Sequence, residues 1–405
     1  MRNADLSAIG ALRLERSPPA RIQRRHDPVG FRPAVPGYGR SALREGLPRL
    51  DGFVPATGIP EQDPRAVPRG WEHPSGAGPA DGGPLWGARG REPRAGLRFD
   101  APVQPGGYAW WYIDALSDDG RFGLTVIAFV GSVFSPYYAL ARRGGRRPDP
   151  LNFCGLNVAL YGISGPSWSL TERGRSRLSR AETTLQIGPS SLAWDGTTLE
   201  IRVDEVTAPL PRRLRGTIRV HPRAISDQTF DLDAAGRHRW QPVSPCARVE
   251  VNLTAPSLRW SGHGYLDTND GDEPLADAFS QWHWSRASLE RGTAVLYDVT
   301  RKDGSQASVA LRFDPSGTVT DEESPSSARL PQTRWRVERE TPADWGCQPS
   351  VRHTLEDGPF YARSVLQSCL FGEPVTAMHE SLSLDRFSKP WVQAMLPFRM
   401  PRRPS

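Results

Sequence analysis

Lysine is nearly missing from this chain. Lys302 and Lys389 are the two present, and the rest of its 51 basic residues are arginine. Cysteine is also sparse. Cys154, Cys246, Cys347 and Cys369 are widely spaced and form no C-x-x-C pair, which excludes a zinc ribbon and a dense disulfide framework. Four reduced, buried thiols are the simplest expectation. Long apolar runs are lacking as well. The longest nearly apolar stretch, "GLTVIAFVGSVF" (123–134), is too short to cross a bilayer as a helix. The first residues, "MRNADLSAIGALRLERSPPARIQRRHD", have no apolar core of the kind a signal peptide needs. These absences suggest a soluble, cytoplasmic protein with at most a peripheral contact with a membrane.

Proline and glycine, at 39 each, are abundant, while hydrophobic content is 38% and mean hydropathy −0.51. Part of the chain is therefore expected to stay unpacked. Residues 1–95 carry 14 prolines and 15 arginines against 10 acidic residues, and "HPSGAGPADGGPLWGARGREPRAG" has linker composition. This reads as a disordered Pro/Gly/Arg-rich N-terminal extension. The remaining 36 basic and 35 acidic residues nearly cancel. With no folded basic face and no nucleic-acid-binding motif, no nucleic-acid partner is expected.

From about residue 96 the texture changes. "YAWWYIDAL", "RFGLTVIAFV", "LNVALYG", "CARVEVNL", "QWHWSRASL" and "ASVALRFD" are short and rich in aromatic and β-branched residues, and no helical period of any length appears. "SDDGR", "WDGT", "RKDGSQ" and "DPSGT" supply turns between them. The expectation is an all-β protein of antiparallel meanders in two β-barrels or sandwiches, 96–240 and 241–390, with a boundary near 235–245 and a basic-aromatic tail at 391–405. Aromatic inward faces of such barrels would leave an apolar cavity.

One stretch, "WSGHGYLDTNDGDEP" (260–274), is unusual as a strand. Side chains alternate faces along a strand. Ser261, His263, Tyr265 and Asp267 would share one face, and Trp260, Gly262, Gly264 and Leu266 the other. One face then lines up three ionisable groups, while the other is thinned by glycine so that strands approach closely.

"GGYAWWYIDALSDDGRFGLTVIAFVGSVFSPYY" (106–138), "HRWQPVSPCARVEV" (238–251) and "RWSGHGYLDTNDGDEPL" (259–275) together resemble the carotenoid 1,2-hydratases, or hydroxyneurosporene synthases, of purple phototrophic bacteria. The resemblance covers about residues 96–400 and leaves the Pro-rich extension outside. It implies two lipocalin-like antiparallel β-barrel domains. It implies a hydro-lyase that adds water across the C1–C2 double bond of an acyclic carotenoid of the lycopene, neurosporene or spheroidene type. The product is a tertiary alcohol at C1, and no cofactor or metal is used. The family's functional residues fall on His238, Trp240, Tyr265 and Asp267. Since the substrate lives in lipid, a location at the surface of the inner or photosynthetic membrane follows.

The chemistry suits those residue types. An isolated alkene is a poor base, so the proton donor must be neutral at working pH. An aspartate in water, with a pKa of about 3.9, is ionised. Apolar burial raises a carboxyl by several units, which would keep Asp267 protonated until substrate arrives. Protonation at C2 leaves a tertiary cation at C1. Trp240 could face it with its ring, worth about 0.5–2 kcal/mol. His238 or Tyr265 could hold the attacking water, and a positioned base contributes roughly 10²–10⁴-fold.

Other readings compete. A lipocalin-like carrier would bind pigment without reacting. A glycosidase would use a carboxylate pair such as Asp114 and Glu172. The cluster Asp267, Asp270, Asp272 and Glu273 misses the calcium-loop pattern, with Asp272 where glycine belongs, and reads as a solvated turn. The resemblance assigns His263 no role, and His283 reads as structural. Trp110, Tyr112 and Asp114 alternate onto one face and are candidates to line the cavity. In the tail, Trp391, Leu396, Phe398 and Met400 beside Arg399, Arg402 and Arg403 suit a membrane interface.

Overall fold

The computed structural model describes residues 97–162 and 167–403, so the extension expected over 1–95 lies outside the described residues. The first sheet contains β1 (Tyr108–Ser117), β2 (Gly123–Val130), β3 (Cys154–Tyr161), β4 (Trp168–Leu170), β5 (Leu178–Arg180), β6 (Thr184–Ile187), β7 (Ser190–Trp194), β8 (Leu199–Val206), β9 (Arg213–Pro222), β10 (Phe230–Asp231), β11 (His238–Ala255) and β12 (Ser257–Gly271). The second contains β13 (Phe279–Leu289), β14 (Gly292–Arg301), β15 (Gln306–Phe313), β16 (Val319–Asp321), β19 (Ser350–Asp357), β20 (Tyr361–Leu370) and β21 (Glu373–Ser383), while β17 (Ser327–Leu330) and β18 (Arg339–Pro342) form a separate hairpin. The helices are single turns or little more: α1 (Pro136–Ala141), α2 (Leu275–Ala278), α3 (Leu384–Phe387) and α4 (Pro390–Met395).

The order in the first sheet is β4-β3-β2-β1-β12-β11-β9-β8-β7-β6-β5, with β10 beside β11; in the second it is β16-β15-β14-β13-β21-β20-β19. The fold is thus two curled antiparallel sheets. "SDDGR", "WDGT", "RKDGSQ" and "DPSGT" each join hydrogen-bonded neighbours. The change of sheet comes after Gly271, not at the expected 240/241. The reason is a ladder that sequence does not display: β1 needs a second neighbour, and β12 supplies it from Tyr108↔Gly271 to Ser117↔Gly262.

The two faces of β12 separate two apolar clusters. Trp260 and Leu266 join Ile113, Val126, Ile201 and Val249 in the core of the first sheet. Glycine is required on that face: a Cβ at Gly264 would lie 2.3 Å from Val249, and one at Gly262 would lie 1.8 Å from the Leu116 carbonyl oxygen. Tyr265 faces the other way, into a cluster that the two sheets share, with Tyr112, Phe129 and Trp240 from the first and Trp282, Trp284 and Tyr297 from the second. The aromatic cavity therefore lies between the sheets and not inside one barrel.

One further expectation is corrected. Cys347 and Cys369 form a disulfide, their Cα atoms 6.0 Å apart, while Cys154 and Cys246 are free. Cys347 sits in the loop before β19 and Cys369 near the end of β20. The fold brings them together, held by Asp344 N–H on the Cys369 carbonyl at 3.0 Å. The C-terminal segment is no loose tail. Val392, Leu396 and Met400 are buried in the cluster between the sheets, Arg402 pairs with the Glu172 carboxylate, and Glu172 N–H donates to the Pro401 carbonyl at 2.9 Å. Among the described residues, no helix is long and apolar enough to cross a membrane.

Candidate active site

The site starts from the long β11–β12 hairpin. In "QPVSPCA" (241–247) Pro242 and Pro245 cannot donate to a ladder, and the pairing with β12 shifts between Gln241 and Ser244 and again before Ala247. Beyond this irregularity Trp240 pairs with Asn269 and His238 with Gly271. On the other side of β12, Tyr112 of β1 stands opposite Asp267. Trp240, Tyr112, Tyr265 and Asp267 thus converge on one face.

Asp267 is the centre of this group. The Tyr265 hydroxyl donates to its Oδ2 at 2.8 Å, and the Trp240 indole N–H donates to the same oxygen at 3.0 Å. Oδ1 is sealed from solvent and has no partner. Burial pushes the carboxyl up to about 8, against the two hydrogen bonds, which favour the ionised form; the Glu380 and Asp114 carboxylates add to the rise. A neutral carboxyl that accepts two hydrogen bonds on Oδ2 carries its proton on Oδ1. The arrangement is therefore an uncharged acid at neutral pH, its proton on the oxygen that no protein group occupies.

Asp267 lines a cavity whose walls come from both sheets: Asn269 from β12, Trp110 and Tyr112 from β1, Phe129 from β2, Trp282 and Trp284 from β13, and Tyr297 from β14. Glu380 of β21 also lines it. A second cavity adjoins. It shares Ile127, Phe129, Phe134, Tyr361 and Glu380 with the first and continues past Trp168 and Arg363 to Leu396 and Met400. The two cavities thus share a wall, and the second reaches from there to the C-terminal segment.

Residues 126–405 match the model of a family described as carotenoid hydratase CrtC. The chain belongs to this family. Acyclic carotenoid 1,2-hydratases from Thiocapsa roseopersicina and Rubrivivax gelatinosus are 54% and 49% identical to it, covering 99% and 93% of this chain and the same shares of their own. Another from Cereibacter sphaeroides is 41% identical over 69% of this chain and 98% of its own length.

Within this carotenoid hydratase, three of the four expected site residues meet directly: Asp267, Tyr265 and Trp240. His238 lies one pair further along the same face, held at Nδ1 by the Tyr108 hydroxyl at 2.9 Å, with Nε2 at 3.4 Å from Glu273. It packs on Phe279 and does not line the cavity. Burial lowers its pKa to about 4, so its imidazole is neutral. Trp240 turns its N–H, not its ring face, toward the acid; its ring lies between Phe230 and Tyr297. His263 is exposed, 3.9 Å from Asp118 and away from Asp267. His283 hydrogen-bonds Ser381.

The rival carboxylates have other partners. Asp114 is buried against Arg286, whose Nε donates to Oδ1 at 2.6 Å, whereas Glu172 holds Arg402. Asp270 and Asp272 pair with Arg239, and Glu273 with Arg237. Trp110 and Tyr112 line the cavity as their alternation suggested, and Asp114 supplies a tie to the second sheet. Several residues escaped sequence reasoning: Trp282, Trp284, Tyr297, Glu380 and Arg363. A signal existed for two of them. Trp284 follows Trp282 at period two in "QWHW", and Glu380 stands between Met378 and Leu382 on one strand face in "MHESL".

Proposed function

We propose that this protein hydrates acyclic carotenoids at the C1–C2 double bond without a cofactor, giving 1-hydroxy tertiary alcohols. Substrates of the lycopene, neurosporene or spheroidene type meet it at the membrane surface. The observation that carries the reading is the buried Asp267 carboxyl, pushed up to about 8, with both donors on Oδ2 and Oδ1 unpartnered beside an aromatic cavity. Oδ1–H transfers its proton to C2. The tertiary cation left at C1 faces rings such as Trp284, Tyr112 and Tyr297, each worth about 0.5–2 kcal/mol to a cation. Water adds at C1 and gives up a proton, and Asp267 regains one. Tyr265 and Trp240 fix the rotamer of the acid, and His238 braces the strand end through Tyr108. Family membership supports the reaction class.

The test is turnover of detergent-dispersed lycopene or neurosporene in ¹⁸O-labelled water without added cofactor, read by chromatography and mass spectrometry. Label at C1 with the native chain, absent with Asp267→Asn, is the expected result. Tight pigment binding by the native chain with no labelled product would instead make it a carrier.

A further inference from the structure

Hydration moves two protons. One goes to C2 from the acid, and one must leave the water that attacks C1. Asp267 accounts for the first. An anionic group on the same cavity can take the second, and the second sheet places another carboxyl there. Glu380 of β21 lines the cavity together with Asp267. Its surroundings differ from those of Asp267 in one decisive respect. Among the described residues no arginine or lysine pairs with Asp267, whereas the Arg363 guanidinium is bound to Glu380 Oε1. The Tyr112 hydroxyl donates to the same oxygen at 2.7 Å. The other oxygen, Oε2, takes part in neither bond. Arg363 is itself fixed: it is buried, bonded to Thr125 of β2 and to the Tyr361 hydroxyl, and 3.8 Å from Glu356.

We propose that Glu380 is the general base of the reaction, a carboxylate across the cavity from the Asp267 acid. This inference rests on the hydratase reading above. The balance is complete. The C1–C2 π bond takes the Asp267 proton at C2. A water oxygen forms the new bond to C1 and passes one proton to Glu380. That proton then returns to Asp267 through the cavity, so nothing is consumed but water. Burial raises both carboxyls, but the Arg363 guanidinium and the Tyr112 hydroxyl hold Glu380 back, and among the described residues no cation does so for Asp267. The groups facing it are Tyr112 and Asp114 of β1, Asp267 of β12, Glu356 of β19, and Tyr361 and Arg363 of β20; Asp114 is neutralised by Arg286.

The experiment compares the native chain with Glu380→Gln on lycopene in ¹⁸O-labelled D₂O across pH. The native chain should give a bell-shaped profile. Glu380→Gln should lower kcat by about 10²–10⁴-fold, lose the ascending limb and keep the descending one. If Glu380→Gln fails to fold, Tyr112→Phe removes one bond to Glu380 and should move the ascending limb to higher pH. A native chain that incorporates no label overturns the hydratase reading and this proposal with it. A hydrating native chain whose Glu380→Gln variant keeps its rate within about threefold and its ascending limb, or whose Tyr112→Phe variant leaves that limb unmoved, overturns this proposal alone.

Discussion

The indole N–H of Trp240 points at a carboxyl oxygen: it reaches Oδ2 of Asp267 over 3.0 Å from the neighbouring strand. Trp240→Phe keeps a ring and removes this bond. Losing one buried hydrogen bond costs about 1–3 kcal/mol, so kcat should fall by roughly five- to hundredfold. Because the bond favours the ionised form, its loss should move the descending limb of the pH–rate profile above the native position near pH 8. An unmoved limb would show that Trp240 acts through its ring alone.

Asp267→Asn should abolish hydration and leave the fold intact, since the amide oxygen still accepts from Tyr265 and Trp240. Its stability should depend on pH in a characteristic way. The folded pKa of about 8 lies above the unfolded value of about 3.9. The native protein thus holds the stability of its neutral acid below pH 4 and loses it as pH rises toward 8. Thermal melts at pH 6 and pH 9 should show the variant gaining on the native chain at the higher pH.

His238 has the opposite sign. Its folded pKa of about 4 lies below the ordinary 6.5, so the stability it contributes is present above pH 6.5 and is lost as pH falls toward 4. Melts of His238→Gln should therefore approach those of the native chain over that interval. Since His238 stands outside the cavity, kcat should drop without a shift of the descending limb; a shifted limb in the pH–rate profile would place it in the proton path.

Trp391, Met395 and Phe398 are exposed, and Trp391 stacks on the exposed Trp335. Trp391→Ser combined with Phe398→Ser should reduce co-sedimentation with anionic liposomes severalfold and leave the melting temperature unchanged. Deleting 389–405 should instead destabilise the protein, because it removes Val392, Leu396 and Met400 from the cluster between the sheets. Equal sedimentation of the double variant and the native chain would exclude this surface as a membrane contact.

Much of this was legible in the sequence. The alternation in 260–267 put Tyr265 and Asp267 on one face and glycine on the other, and both faces are used as that pattern implies. His263 obeyed the same alternation and still fell outside, because strand parity fixes a face and not how far along it the partner sheet extends. The change of sheet after Gly271 has no local sign for a related reason: the residue that pairs with Tyr108 is Gly271, and long-range ladders leave no local mark. Cys347 and Cys369 read as thiols because a sequence separation of 22 hides a 6.0 Å approach of their Cα atoms. Glu380 and Arg363 come from the half of the chain whose texture carried no chemical motif, and each becomes visible when the sheets face each other.

The acid comes from one sheet, and the arginine-bound carboxyl and two of the three tryptophans lining the first cavity come from the other. A conjugated polyene is a stiff rod, and a stiff rod cannot turn corners in a closed container. The seam between them is stitched by Asp114 to Arg286 and by Arg363 to Thr125. An end threaded along it would meet the acid from one sheet and the arginine-bound carboxyl from the other.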